Sequence, residues 1–199
     1  MRFGDHILYI YENDEQQFYT SMPFMKAGIE NNEKCIYIGD ADSSTKVSDF
    51  LEKLNIDSEG TKKTGQLCIA THKDLFLNGG SFNPEKIRGL LRKTIENIPE
   101  EGWTGLRVVQ EMSGLSRYSQ ENDKLLEYEG DLSYNIPKRS AVFLCQYDGR
   151  RFERKTLVQV LKLHNIVVVG DTIYENQLKV DLNEVLPIQN EEITHKVES

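Results

Sequence analysis

Cysteine is scarce. Cys35, Cys68 and Cys145 are the only three in 199 residues. An odd number at wide spacing excludes a disulfide framework. Each lies inside a strand-like run, where a thiol is expected to pack as a small, inert hydrophobe. Long apolar runs are missing too. The longest, such as Ala141–Cys145 and Ile166–Val169, fall far short of the roughly 18 residues of a membrane-spanning helix. Met1–His6 leads straight into a strand-like run with no secretory pattern, so a cytoplasmic chain with no membrane partner is expected. Positive charge is in deficit: 24 Lys and Arg face 32 Asp and Glu, a net charge of −8. That argues against direct nucleic-acid binding through a broad basic face. Half of the excess lies in residues 181–199, where five carboxylates face Lys196. This stretch reads as an acidic C-terminal tail or linker, leaving residues 1–180 as one domain.

A hydrophobic share of 38% is enough for a core. Apolar, β-branched runs recur at Ile7–Tyr11, Cys35–Ile38, Leu67–Ala70, Leu106–Val109, Ala141–Gln146 and Ile166–Val169. Several alternate little, as strands covered on both faces do. Helical period fills the gaps. The first helix opens at Asn13 or Asp14 and carries Phe18, Met22, Met25 and Ile29, with a kink expected at Pro23. A second starts at Ser43 or Ser44. A third is capped by Asn83 and stopped by Pro99, a fourth runs from about Ser119 to Ile136, and a fifth from about Phe152 to His164. Strand and helix alternating in this way predict an α/β fold: a mainly parallel open sheet with helices on both faces. Such sheets bind ligands at the carboxyl ends of their strands.

The first strand-to-helix turn, Tyr11-Glu12-Asn13-Asp14-Glu15-Gln16, has no glycine and no lysine, and carries three carboxylates. A phosphate cradle needs closely approached backbone amides and a cation, so neither a Walker loop nor a dinucleotide turn is present here. Gly79-Gly80 follows no strand and reads as a plain turn. Glu12, Asp40, Glu111 and Asp148 all fall at strand ends and would share one edge of a parallel sheet. One reading is helix N-caps and loop carboxylates in water. The other is a polar rim around an apolar or cationic ligand, with Tyr11, Met112 and Tyr147 as contact surface. Arg150, Arg151 and Arg154 form the densest basic cluster, either a solvated face or a site for an acidic partner. The four histidines, His6, His72, His164 and His195, show no metal-type spacing. No metal, no cofactor and no catalytic group is expected. His164 reads as a buried, satisfied histidine, and a Cys145–His164 pairing has no local support.

The ordered set Gly4-Asp5-His6-Ile7 to Tyr11-Glu12, Pro23-Phe24-Met25-Lys26-Ala27-Gly28, Glu33–Ile38, Glu111-Met112, Leu125–Glu129, Leu144–Asp148 and Val169-Gly170 to Tyr174–Asn176 resembles the MEDS domain, a methanogen/methylotroph sensory domain. The resemblance covers about residues 3–177. It implies a RecA-like fold without the phosphate loop, no catalysis, and sensing of a small organic ligand, a hydrocarbon derivative, within a transcription-regulating or other signal-transduction system. Output would pass through a regulatory protein partner or self-association. The family's usual glycine before Glu-Met is Gln110 here. Two other readings stay open: a degenerate nucleotide-binding ATPase relative, and a pure protein-interaction module.

Overall fold

The computed structural model describes residues 1–78, 81–115, 122–134, 140–169 and 172–176. Seven strands form one sheet in the order β3-β2-β6-β7-β1-β8-β9. These are β1 (His6–Tyr11), β2 (Lys34–Gly39), β3 (Leu67–Thr71), β6 (Leu106–Glu111), β7 (Ala141–Asp148), β8 (Ile166–Val169) and β9 (Thr172–Glu175). All neighbours pair in parallel except β8 with β9. A two-stranded ribbon, β4 (Leu77–Asn78) with β5 (Ser81–Phe82), stands apart. The acidic residues 181–199 and Gly79-Gly80 lie outside the described residues.

The central strands β6 and β7 are buried along their whole length. That explains the near-continuous apolar runs: helices cover both faces, so neither side of the pleat meets water. One face of the sheet carries Ile7, Tyr9, Tyr11, Tyr37, Val109 and Leu144 against α1 (Asp14–Glu30) and α2 (Ala41–Lys53). The other carries Leu8, Ile38, Val108, Phe143, Cys145 and Tyr147 against α5 (Pro84–Glu101), α6 (Asn122–Tyr134) and α7 (Arg154–Leu163). Two short helices, α3 (Ser58–Lys63) and α4 (His72–Leu75), flank β3.

Helix ends differ from expectation where caps outrank the apolar pattern. Asp40, not Ser43, caps α2, accepting the Ser43 N–H at 2.7 Å. Pro99 does not stop α5. The helix continues to Glu101 and ends on Gly102 in the left-handed conformation, as helix C-termini commonly do. Pro23 lies within α1. Cys68 is exposed, not buried, because β3 is the edge of the sheet. Burial pushes the Cys35 thiol up to about 12, against the lowering pull of Arg107, which fits an inert core residue.

Arg107, pointing under α1, makes a bidentate pair with Glu33 at 2.6 and 3.1 Å and lies 4.4 Å over the Phe24 ring. Gly28 makes room for it: a Cβ there would sit 2.6 Å from Arg107 Cδ and 2.7 Å from Cys35 Sγ. Gly28→Ala is therefore expected to destabilise by about 1–3 kcal/mol through overpacking. In contrast, Gly89 in α5 faces open space, and Gly89→Ala should stabilise by about 0.5–1 kcal/mol through helix propensity. Urea midpoints at unchanged slope check both.

Candidate functional site at the carboxyl edge of the sheet

Because β2, β6, β7 and β1 are consecutive in the sheet, their carboxyl ends meet. Tyr11 is in register with Asp148, and Glu111 with Gln146. Glu111, the last residue of β6, is buried. Its Oε1 accepts the Tyr11 hydroxyl at 3.0 Å and the Ser113 N–H at 2.7 Å, while Oε2 accepts the Gly114 N–H at 3.3 Å. The Glu111 carbonyl meets the ring Nε2 of His72, the first residue of α4, whose ring packs where a Cβ on Gly114 would fall. Burial, then the Glu111 charge, drives the Tyr11 hydroxyl well above its ordinary pKa, so it remains a donor.

Asp148, the last residue of β7, is only 1% exposed. Its backbone N–H donates to Ser113 Oγ at 2.7 Å, and Tyr11 and Ser113 hydroxyls lie 3.4 Å apart, joining the two carboxylates into one network. Arg150 grips Asp148 through Nε at 2.7 Å and Nη2 at 2.6 Å, and Arg151 adds a contact at 3.3 Å. Both arginine side chains are 51% exposed, and Arg150 also reaches Asp14 of α1 at 3.8 Å. Burial alone would raise the Asp148 carboxyl, but the hydrogen bonds and charge of Arg150 outweigh it and hold it below the usual aspartate range. Asp40 follows the same rule: burial is overcome by its Ser43 hydrogen bonds, then by the positive fields of His72 and Arg151.

The turn after β1 is built as a cap. Asn13 Oδ1 accepts the Gln16 N–H at 2.9 Å, and Gln16 Oε1 accepts the Glu12 N–H at 2.8 Å. Asp14 and Glu15 fill the first helical turn, where carboxylates complement the positive helix end. One early amide of α1, that of Gln16, is thus taken by the Asn13 side chain.

The structure gathers Tyr11, Glu111 and Asp148, with Ser113, Arg150 and Arg151, into one network. Glu12 is exposed just outside it, and Asp40 sits half-buried at the next strand end. Met112 and Tyr147 are turned away. Strand alternation puts Tyr147 on the opposite face from Asp148, and both Met112 and Tyr147 are wholly buried in the layer under α5–α7. Arg154 is exposed at the start of α7.

Sequence spacing missed a second assembly. Under α6 and α7, the side chains of His6, Glu129, Cys145 and His164 converge, all at most 2% exposed. The signal available was Glu129 itself, which falls three and four residues after Leu126 and Leu125 on the apolar stripe of a helix. A carboxylate does not stand there without partners.

The family model for the MEDS domain (methanogen/methylotroph, DcmR sensory domain) matches residues 5–165. The transcriptional repressor DcmR of Methylorubrum extorquens is 23% identical over 163 residues, 81% of this chain and 58% of the repressor. The chain therefore spans rather more than half the length of that relative. Among solved structures, the flagellar accessory protein FlaH of Methanocaldococcus jannaschii superposes with a TM-score of 0.57 at 11% identity, over 90% of this chain and 82% of FlaH. A KaiC-like protein of Pyrococcus horikoshii gives 0.53 at 13% identity, over 82% of this chain and 69% of its own. A further protein of Pyrococcus horikoshii, crystallised with an unknown peptide, gives 0.59 at 13% identity, over 84% and 77%. At these identities the likeness concerns the fold, which is RecA/KaiC-like.

A carboxyl whose folded pKa lies below its unfolded value lends stability that is present above about pH 4 and lost as the pH falls through the folded value. Asp148 is such a group. Asp148→Asn is expected to flatten the acid limb of the stability curve. It should also lower stability at pH 7 by about 1–2 kcal/mol, the charged hydrogen-bond range reduced for a half-exposed partner. Denaturant melts between pH 3 and pH 7 measure both effects.

Proposed function

The chain belongs to the MEDS family of sensory domains, and from that premise we propose that it is the sensing part of a regulator. It binds a small organic ligand at the carboxyl edge of the sheet and catalyses no reaction. The observation that carries this reading is the network joining the ends of β1, β6 and β7, closed on its outer side by Arg150 and Arg151. It combines a fixed interior with an outer shell that solvent reaches. Glu111 is held by neutral donors on three sides. Asp148 is held by guanidinium groups that are half in water.

A polar or positively charged ligand group that competes for Asp148, or a polarised carbon–halogen or oxygen atom that draws Arg150 away, loosens the bridge from β7 to Asp14 of α1. Binding then shifts an equilibrium between clasped and open forms of this edge. Tyr11, Glu12, Asp40 and Glu111 supply the surrounding polar rim. The carboxylate-lined first turn supports an organic ligand over a nucleoside triphosphate, because a phosphate would meet Asp14 and Glu15 where a RecA-type loop offers amides and lysine. Exposed Arg154 is left for a regulatory partner. The DcmR relative is a repressor, and control of transcription by this chain is part of the same proposal. Among the described residues no helix is long and apolar enough to cross a membrane.

Titration of the isotope-labelled chain with dichloromethane, methanol and methylammonium, followed by amide NMR, tests the site. Shifts centred on Tyr11, Glu111, Ser113 and Asp148 for at least one probe, weakened tenfold or more in Asp148→Asn, are the expected result. Shifts confined to other regions, or saturable binding of ATP with magnesium at the start of α1, would overturn it.

A further inference from the structure

On the opposite face of the sheet from the Tyr11–Glu111 rim, two strands and two helices bring four potential ligand atoms to one point. His6 opens β1, Cys145 lies within β7, Glu129 is in the middle of α6, and His164 follows the last turn of α7. His6 Nε2 is 3.0 Å from Glu129 Oε2 and 3.2 Å from Cys145 Sγ. Glu129 Oε2 is 3.5 Å from both His164 Nε2 and Cys145 Sγ. All four donor atoms lie within 4.8 Å of one another.

We propose that His6, Glu129, Cys145 and His164 form a closed site for one tetrahedral divalent transition-metal ion of the zinc class, clamping β1 and β7 to α6 and α7. Zinc–nitrogen, zinc–oxygen and zinc–sulfur bonds of about 2.0–2.3 Å make tetrahedral edges of roughly 3.3–3.6 Å. The four separations of 3.0–3.5 Å bracket the short side of that range, so small outward shifts seat an ion.

The outer hydrogen bonds orient both imidazoles inward. His164 Nδ1 lies 2.6 Å from the Val160 carbonyl, which can only accept, so Nδ1 carries the proton and Nε2 presents a lone pair. The Ser133 hydroxyl donates to the Leu163 carbonyl at 2.5 Å, so its oxygen accepts from His6 Nδ1 at 2.8 Å. His6 Nε2 is then the bare nitrogen as well. Tyr147 donates its hydroxyl to Glu129 Oε1, leaving Oε2 directed at the cluster. Backbone carbonyls, hydroxyls and a tyrosine holding the ligands from behind are the second shell that metal sites use to fix tautomer and basicity.

Charge supports the same assignment. Two neutral imidazoles, a thiolate and a carboxylate carry −2, which a divalent cation cancels, so the filled site is neutral in a place no water reaches. Loading exchanges one proton from the Cys145 thiol and one from the Glu129 carboxyl for the cation; nothing is oxidised or reduced. Imidazole with thiolate selects zinc, cobalt or iron(II) over magnesium or calcium. Full burial of all four ligands leaves no open position, so the site is structural. It sits apart from the proposed ligand rim and does not depend on it.

The test uses the full chain, prepared with zinc in the medium, and also unfolded with chelator and refolded with Co²⁺. Elemental analysis should give about one metal per chain. The refolded protein should show the near-ultraviolet thiolate-to-cobalt band and the intense visible bands of tetrahedral Co²⁺. The band is expected to persist in the Cys35→Ala/Cys68→Ser variant and to vanish in Cys145→Ser. If Cys145→Ser does not fold, the double variant, which leaves the four residues untouched, decides: persistence supports the site and loss overturns it. Folded wild-type chain carrying less than a tenth of an equivalent by both routes would also overturn it.

Discussion

The parallel pairing of β1 with β7 lies under both polar assemblies, the Tyr11–Glu111–Asp148 network and the His6–Glu129–Cys145–His164 cluster. Its register sets Leu8 beside Cys145, Ile10 beside Tyr147, and Tyr11 beside Asp148. The pleat has a period of two, so a slip by one residue would send each side chain to the opposite layer. With the register as it is, Tyr11 faces α1 and reaches Glu111, while Cys145 and Tyr147 face α6 and reach Glu129. One strand pair therefore serves two assemblies on two faces, held apart by a sheet whose central residues are closed to water.

Much of the fold was legible for a simple reason. Strands covered by helices read as apolar runs, and all six runs became strands of the sheet, including the edge strand β3, of which only Leu67 is buried. The alternation of period predicted parallel crossovers, which force the carboxyl ends together. Helix boundaries were less legible because single caps decide them: Asp40 begins α2 three residues before the first serine of the pattern suggests, and Gly102, not Pro99, ends α5. The short strand β9 carries no apolar run because it is exposed throughout.

The rim was partly legible. Strand-end carboxylates are visible in sequence, but which face a side chain takes depends on where each strand stops pleating. Tyr147 and Asp148 are adjacent in the chain and end on different layers. The His6–Glu129–Cys145–His164 cluster was not legible from spacing, since its members are 16 to 158 residues apart in sequence and meet only through the strand order. What the chain did display was a carboxylate on the apolar stripe of α6, a local contradiction of the kind that marks a site.

The two assemblies hold three buried carboxylates, Glu111, Glu129 and Asp148, and each is compensated differently. Glu111 is met by a tyrosine hydroxyl and two backbone N–H groups, donors that carry no net charge. Glu129 is met by imidazole, thiol and tyrosine, and its carboxyl is pushed up by burial despite the opposing influence of His164 and of the Tyr147 and Cys145 hydrogen bonds. Of the three, only Asp148 is met by full positive charge, and unlike the buried Arg107–Glu33 pair its guanidinium partners are half in solvent. The first two arrangements are closed, since moving any partner strands a buried polar group at a cost of about 1–3 kcal/mol or more. The third is open. Water, salt or a ligand group reaches this pair from the arginine side, which is half exposed and open to screening, while Asp148 itself stays buried. The sensing proposed above needs one such soft contact set in a stiff frame, and Asp148 with its arginines is the contact that the burial pattern leaves open to solvent, beside an α1 turn that carries Asp14 and Glu15 in its first helical turn.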